Sequence, residues 1–431
     1  MALAERTRTD SYWQRMREFS ANARLLIASS VIRSFGGGVS STILNLYLLS
    51  LGYNKTFLGG FMAINAFVMA FACLVVGPYV TRVGTKNAII LACLISVVIA
   101  IPQVASPTVP VLLITQALGG LQSALMWVAS SPFIAENSTP HERTHLFGAS
   151  QSFGIVSSFA GNLLAGYLPG WIALRLLLPQ DSPPSFELAL IAYIIPLVVG
   201  ILPLLFVHAP ESGTPIVRKQ EAPLSQSVVA EPPGSKTIVG EFFLVSLLIG
   251  LGAGFVVPYF TVLFWQFYDL PTQVVGIVQG LSSLTMAAGI FLSPALSTRI
   301  GKVRAVVVCQ AISLPFLVTI AIIVNPFVAV VCYIVRNMMM NAATPVDNTL
   351  RMELVPKNWR ANLSAVTGFA WYLPWSLSTQ VTGPLLDQGQ YLVPFWFTFT
   401  SYGVSTALYG LFFAGSERKL AAWRASRKTR S

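Results

Sequence analysis

The chain has 431 residues, 54% hydrophobic and only 10% charged, with a mean hydropathy of +0.68. Soluble domains carry about 25% charged residues, so the composition excludes a soluble globular fold. Apolar runs of the ~20 residues needed to cross a bilayer recur along almost its whole length. The net charge of +11 has no soluble domain to present it as a basic face. That excludes nucleic acid as a partner and leaves anionic lipid.

In chain order, residues 1–22 form a cytoplasmic N-terminal segment. Arg6, Arg8, Arg15 and Arg17 beside Glu5, Asp10 and Glu18 make it too polar for a signal peptide. It reads equally as an amphipathic helix on the membrane surface and as a frayed tail. The pattern then predicts twelve spanning helices, at 23–51, 56–80, 86–105, 109–135, 142–169, 186–207, 238–267, 272–297, 304–324, 327–352, 361–385 and 390–415. The first six make one half, 23–207, and the last six another, 238–415. A polar, proline-rich cytoplasmic linker at 208–237 joins them, and a basic cytoplasmic tail, 416–431, follows. Cys73, Cys93, Cys309 and Cys332 fall inside apolar runs without CxxC spacing, which predicts buried packing.

Orientation follows from the basic residues. Of 27 Lys and Arg, Arg33 and Arg336 lie within spans and Lys55 and Arg175 face one side, which leaves 27 − 4 = 23 on or at the edge of the other. By the positive-inside rule those 23 mark the cytoplasm. The expectation is a multi-pass plasma-membrane protein with both termini cytoplasmic, and the compact loops point to a bacterial inner membrane.

The sequence also repeats. Residues 57–84 align without gaps to 274–301, an offset of 276 − 59 = 217 that pairs Gly59 with Gly276, Thr81 with Thr298, Arg82 with Arg299 and Gly84 with Gly301. The same offset pairs Gly37 with Gly254, Glu136 with Glu353, Arg143 with Arg360 and Gly166 with Gly383. It covers six spans, an even number, so the copies run parallel across the membrane. Such repeats, together with Gly77, Arg82, Gly84 and Lys86 in "GPYVTRVGTKN", resemble the major facilitator superfamily and its loop after the second helix, usually G-x-x-x-D-R-x-G-R-R. "TRIGKVR", with Arg299 and Gly301, resembles a weaker second copy. Thr81 and Thr298 replace the usual Asp, an Arg in the fourth helix is absent, and the fifth helix has no Gly-Pro. No subfamily follows.

The resemblance implies an all-α polytopic membrane fold of twelve helices in two parallel six-helix repeats. It also implies that the first, fourth, seventh and tenth helices line a central cavity. Charged residues deep in a span are costly and mark function. Three qualify: Arg33 in the first helix, and Arg336 and Asp347 in the tenth. Asp347 is eleven residues past Arg336, ~16 Å along the helix, too far to pair. It can pair with Arg33 or with Arg351 one turn on. Arg336 is satisfied either by backbone carbonyls and Asn341 or by a substrate. Trp127 and Tyr259 are further cavity candidates, Met338, Met339 and Met340 suit loosely specified apolar ligands, and Gly36–Gly38 and Pro258 weaken the first and seventh helices.

One motif points elsewhere. "TPHERTH" contains the H-E-x-x-H spacing of zinc proteases. A catalytic zinc needs a third protein ligand, and the one remaining histidine is His208. Thr139, Pro140 and Glu142 instead spell a capping box that opens the fifth helix. No GxxxxGK[ST] loop is present to bind ATP. The expectation is therefore not an enzyme. It is a cofactor-free, monomeric secondary transporter of a small molecule, with a coupling proton as a further partner. An exporter of hydrophobic or amphipathic compounds is one reading, and a carrier of organic anions through Arg336 and Arg33 another. A zinc protease and a non-transporting receptor are remoter rivals.

Overall fold

The computed structural model describes residues 21–136, 140–207, 235–355 and 359–415. These fold into twelve long helices: α1 (Ala21–Ser50), α2 (Lys55–Val83), α3 (Thr85–Ala105), α4 (Val109–Glu136), α5 (Pro140–Leu176) and α6 (Pro183–Val199, with a further turn at Leu202–Leu205). Then come α7 (Ser235–Val256, continued irregularly to Phe267), α8 (Thr272–Ile300), α9 (Lys302–Ile322), α10 (Pro326–Ala342, resumed at Thr344–Leu354), α11 (Arg360–Asp387) and α12 (Leu392–Phe413). No strand occurs among the described residues. Eight of the helices are long and apolar enough to cross a membrane on composition alone. The other four, α1, α5, α11 and α12, are as long but richer in Ser, Thr, Gly and Asn.

The repeat is visible in the helix limits. α2 and α8 have 29 residues each, α3 and α9 have 21 each, and both pairs keep the offset of 217 (272 − 55 and 302 − 85). Packing repeats as well. α1 packs on α5 and α6, α2 on α4, α3 on α4 and α6. Six helices on, α7 packs on α11 and α12, α8 on α10, α9 on α10 and α12. Across the halves, α2 packs on α11 and α5 on α8, two contacts exchanged by the same two-fold relation.

Small residues set these contacts, as expected where lipid gives helices no hydrophobic reason to associate. A Cβ added to Gly276 would stand 2.6 Å from the Asn162 carbonyl oxygen and 2.7 Å from Gly166 Cα. One added to Gly383 would stand 2.8 Å from Thr56 Cα. The four glycines that the repeat pairs, Gly59/Gly276 and Gly166/Gly383, are therefore the two crossing points between the halves.

Two expectations about irregular helices separate. Pro258 does break α7: a 3-10 turn spans Val257–Tyr259 and a π-helical turn Leu263–Phe267. The Gly36–Gly38 run does not weaken α1, which is continuous from Ala21 to Ser50. Its glycines bring α1 close to its neighbours, Gly38 against the Ser158 backbone of α5 and Gly36 against α6 at Tyr193. The 142–169 helix was expected too short, because Pro169 lies inside α5 rather than ending it. Thr139 of the expected capping box, most of the linker, and the terminal segments lie outside the described residues.

If the crossing requires glycine, Gly276→Ala destabilises the fold by about 1–3 kcal/mol through overpacking against backbone. Gly60→Ala, where no atom lies within 4 Å of the added methyl, is neutral or slightly stabilising. Thermal unfolding of the two variants beside the unmodified protein checks the contrast.

Candidate functional site

The end at which α1 passes into α2, here the upper end, is closed by cross-half polar contacts. Asp387, at the last residue of α11, accepts from the Lys55 and Thr56 backbone N–H groups at 3.0 and 2.8 Å and from the Thr56 hydroxyl. A carboxylate there satisfies the unpaired amides at the start of α2 and complements its positive helix end. On the other seam Thr272, the first residue of α8, donates its hydroxyl to Asp181 of the α5–α6 loop at 2.8 Å. Lys55 also donates to the Tyr391 hydroxyl at 3.2 Å. Lower down, the seams retain Ser376 Oγ to the Ala63 carbonyl and the edge-on pair Phe71–Phe369.

Tyr259 belongs to this closure rather than to a cavity. It is 1% exposed, donates to the Thr379 carbonyl at 2.8 Å and packs on Gly59. Trp127 lies on α4 with 70% of its surface exposed.

Arg336 is 1% exposed. Its Nη2 donates to the Tyr402 hydroxyl of α12 at 3.0 Å, and its guanidinium sits 5.7 Å from the Phe260 ring centre and 5.5 Å from that of Tyr402. Its Nε has no partner. Asn341 does not satisfy it, contrary to one expectation, because that amide turns back to Asn337 at 2.8 and 3.0 Å. Beside it runs a neutral polar chain: Tyr333 donates to Gln279 at 3.0 Å, and Gln279 donates to Thr261 at 2.8 Å.

Asp347 pairs with Arg351 at 2.8 Å and accepts from the Tyr409 hydroxyl at 2.8 Å. Arg351 reaches Ser246 at 3.2 Å and stacks over Phe242 at 5.1 Å. The alternative Arg33–Asp347 pair does not form. Arg33 points into the first half, among α1, α3, α4 and α6, whereas Asp347 is held inside the second. Arg33 donates to Ser29 Oγ at 3.3 Å and Met126 Sδ at 3.4 Å, and the Cys93 thiol is a further hydrogen-bond neighbour. It lines a cavity of about 200 Å³ at the lower end of its half.

The signature loops behave as their glycines dictate. Gly84 and Gly301 reverse the chain with φ of +87° and +89°, which only glycine adopts freely. Arg82 and Arg299 are exposed at these turns. The threonines replacing the usual Asp donate within their own helices, Thr81 to Pro78 and Thr298 to Ala295, so they hold no latch. Lys86 donates to the Val207 carbonyl. Glu353 pairs with Lys302 at 2.7 Å, and Arg360 Nε is buried without a partner. The side chains of Glu136, Arg143 and the HERTH residues lie outside the described residues.

The family model described as Major Facilitator Superfamily matches residues 11–379. The chain belongs to the major facilitator superfamily. Solved structures agree on the fold. This major facilitator chain superposes on the D-xylose-proton symporter with a TM-score of 0.68 at 16% identity, covering 90% of this chain and 96% of that one. The nucleoside transporter NupG gives 0.67 at 15% identity over 91% and 98%. A bacterial homolog of the human lysosomal transporter Spinster, inward-facing and unoccupied, gives 0.67 at 13% over 94% and 97%. No curated protein sequence matches. Major facilitator chains are transporters, so this one is a multi-pass membrane transporter rather than an enzyme.

Several residues of these sites carry no local sequence signal. Tyr402, Tyr409, Asp181 and Asp387 take their roles from partners 60 or more positions away. If Asp347–Arg351 is a structural pair, Asp347→Ala lowers stability by roughly 2–3 kcal/mol, at the low edge for a buried pair because both side chains are part-exposed. The double variant Asp347→Ala/Arg351→Met recovers much of the loss, and a double-mutant cycle on thermal melts measures the coupling.

Proposed function

We propose that the chain is a secondary carrier of small organic anions, working by alternating access. One observation carries the choice of cargo. Among the described residues, the two guanidiniums deep in the helices, Arg33 and Arg336, have no carboxylate within 4 Å, while Asp347 is neutralised by its own arginine. An unpaired charge in a low-dielectric interior, as at the buried Arg336, costs several kcal/mol. An anionic cargo offsets that cost and also pairs with the part-buried Arg33. Both Asp347 oxygens are engaged, which supports a structural ion pair rather than a proton carrier.

In the positive-inside orientation the upper end faces outward. The closure by Asp387, Asp181 and the glycine crossings then belongs to a state open towards the cytoplasm, and rocking of the halves exposes the site to the other side. A plasma-membrane location with cytoplasmic termini accords with the same charge pattern. A second reading, export of hydrophobic or amphipathic compounds, is favoured by the exposure of Trp127. The polar environments of Arg33 and Arg336 favour the anion.

Counterflow in proteoliposomes separates the two. Vesicles preloaded with small organic acids accumulate labelled acid, Arg336→Gln reduces the rate at least tenfold, and lipophilic cations do not exchange. Exchange of lipophilic cations without exchange of acids contradicts the anion reading.

A further inference from the structure

The cavity beside Arg33 is best understood by comparing it with the matching place in the other half. Its polar wall is Arg33, Ser30, Ser130, Ser150 and Gln151, and its apolar wall includes Leu26, Ile89, Phe133 and Leu204. The offset of 217 carries Ser130 to Asp347 (347 − 130), the neighbouring Ile134 to Arg351 (351 − 134) and Ser29 to Ser246 (246 − 29). α2 and α3 keep it at both ends as they pass to α8 and α9, and α4 keeps it at its start (326 − 109 = 217). In the second half the position is filled by the Asp347–Arg351 pair, with Tyr409 on the carboxylate and Ser246 on the guanidinium.

In the first half the serine at the position of Ser246 is kept, but both charged residues are gone. A cation is brought back from a different helix: Arg33, on α1, hydrogen-bonds that serine, Ser29. Among the described residues, no carboxylate is brought back. Ser130 stands where Asp347 would be, and about 200 Å³ of space lies between it and the guanidinium's surroundings. Arg33 is left with a hydroxyl, a thioether and the Cys93 thiol, all weak acceptors for a group that prefers a bidentate oxyanion. The second half supplies its own anion. The first half supplies a cation, hydroxyls, an amide and room.

We propose that this cavity binds the carboxylate of a small organic acid, with Arg33 as its charge partner and the serines and Gln151 completing its hydrogen bonds. The proposal rests on the anion-carrier reading and narrows its cargo. Size and lining define the class. An apolar protein cavity of about 150 Å³ holds benzene, so this one, of about 200 Å³, has room for a monocarboxylate with an apolar body of about one ring. The ligand's apolar part lies against Phe133 and Ile89. A dicarboxylate fits less well, because its second charge finds no second cation among the described lining residues.

Titration calorimetry on the purified full chain, with benzoate as probe and benzamide as its neutral counterpart, tests the site. The unmodified protein binds benzoate and not benzamide. Arg33→Gln weakens benzoate roughly ten- to a hundred-fold, the range for losing a charged hydrogen bond, and Arg33→Lys retains part of the binding. Ser130→Asp, which restores a carboxylate to the cavity, abolishes benzoate binding while raising the melting temperature, so a folding defect cannot mimic the result. Equal binding of benzoate and benzamide, no binding of benzoate, or benzoate affinity untouched by Arg33→Gln or Ser130→Asp overturns the proposal. Counterflow keeps the two readings apart. Acid exchange that persists in Arg33→Gln sinks the site and spares the carrier. Arg33-dependent benzoate binding without any acid exchange upholds the site and sinks the carrier.

Discussion

The backbone-to-backbone approach of α5 to α8 and of α2 to α11 is the constraint on which the rest of the structure depends. Two six-helix halves in lipid have no hydrophobic reason to stay together. They are held by close packing at Gly166–Gly276 and Gly59–Gly383 and by hydrogen bonds that close proximity allows. Only where the helices already touch can Asp387 reach the first amides of α2, or Thr272 reach Asp181. Closure at one end is thus a consequence of side-chain absence. The carboxylates then fix which helix ends face each other.

The same two-fold relation explains why the halves differ in chemistry while agreeing in shape. Each half is a packed bundle with its own polar interior. The second half pairs Asp347 with Arg351 and holds Arg336 on the Tyr402 hydroxyl and the Phe260 ring, with no carboxylate on that guanidinium among the described residues. The first half keeps its cation, Arg33, beside open space. The two copies share one scaffold, and where the second carries Asp347 and Arg351 the first carries Ser130 and Ile134 beside a cavity. Transport by rocking asks only that the seams be breakable. The cargo chemistry is set inside, by which charges remain unpaired.

Much of this was legible in the sequence because it follows from period and spacing. Helix positions came from the length of apolar runs, and the repeat from charged residues and glycines at one constant offset. The turns at Gly84 and Gly301 came from residue type alone. The chain's polar interior was legible only as an inventory. Arg336 stood out as costly, yet nothing local named Tyr402, 66 positions away, as its acceptor. Asp347 offered two partners, and only the fold shows that Arg33 faces the other half's interior. Asp387 reads locally as a polar residue ending a helix, and its role as a cap for α2 exists only across the seam. The Gly36–Gly38 run misled for a related reason: glycine weakens a lone helix, but in a membrane bundle it marks where another backbone comes close.

The central claim is that the halves rock about these crossings instead of merely loosening at them. Pulsed electron–electron distance measurement with spin labels at two pairs of exposed sites tests it most directly. Leu51 and Gln390 report the upper end, and Asn87 and Arg304, related by the repeat offset (304 − 87 = 217), report the lower. Weakening the crossing with Gly276→Leu is predicted to lengthen the 51–390 distance and, in the same molecules, to shorten the 87–304 distance. A longer 51–390 distance with 87–304 unchanged would contradict the account, because the closed end would then open without the other end closing.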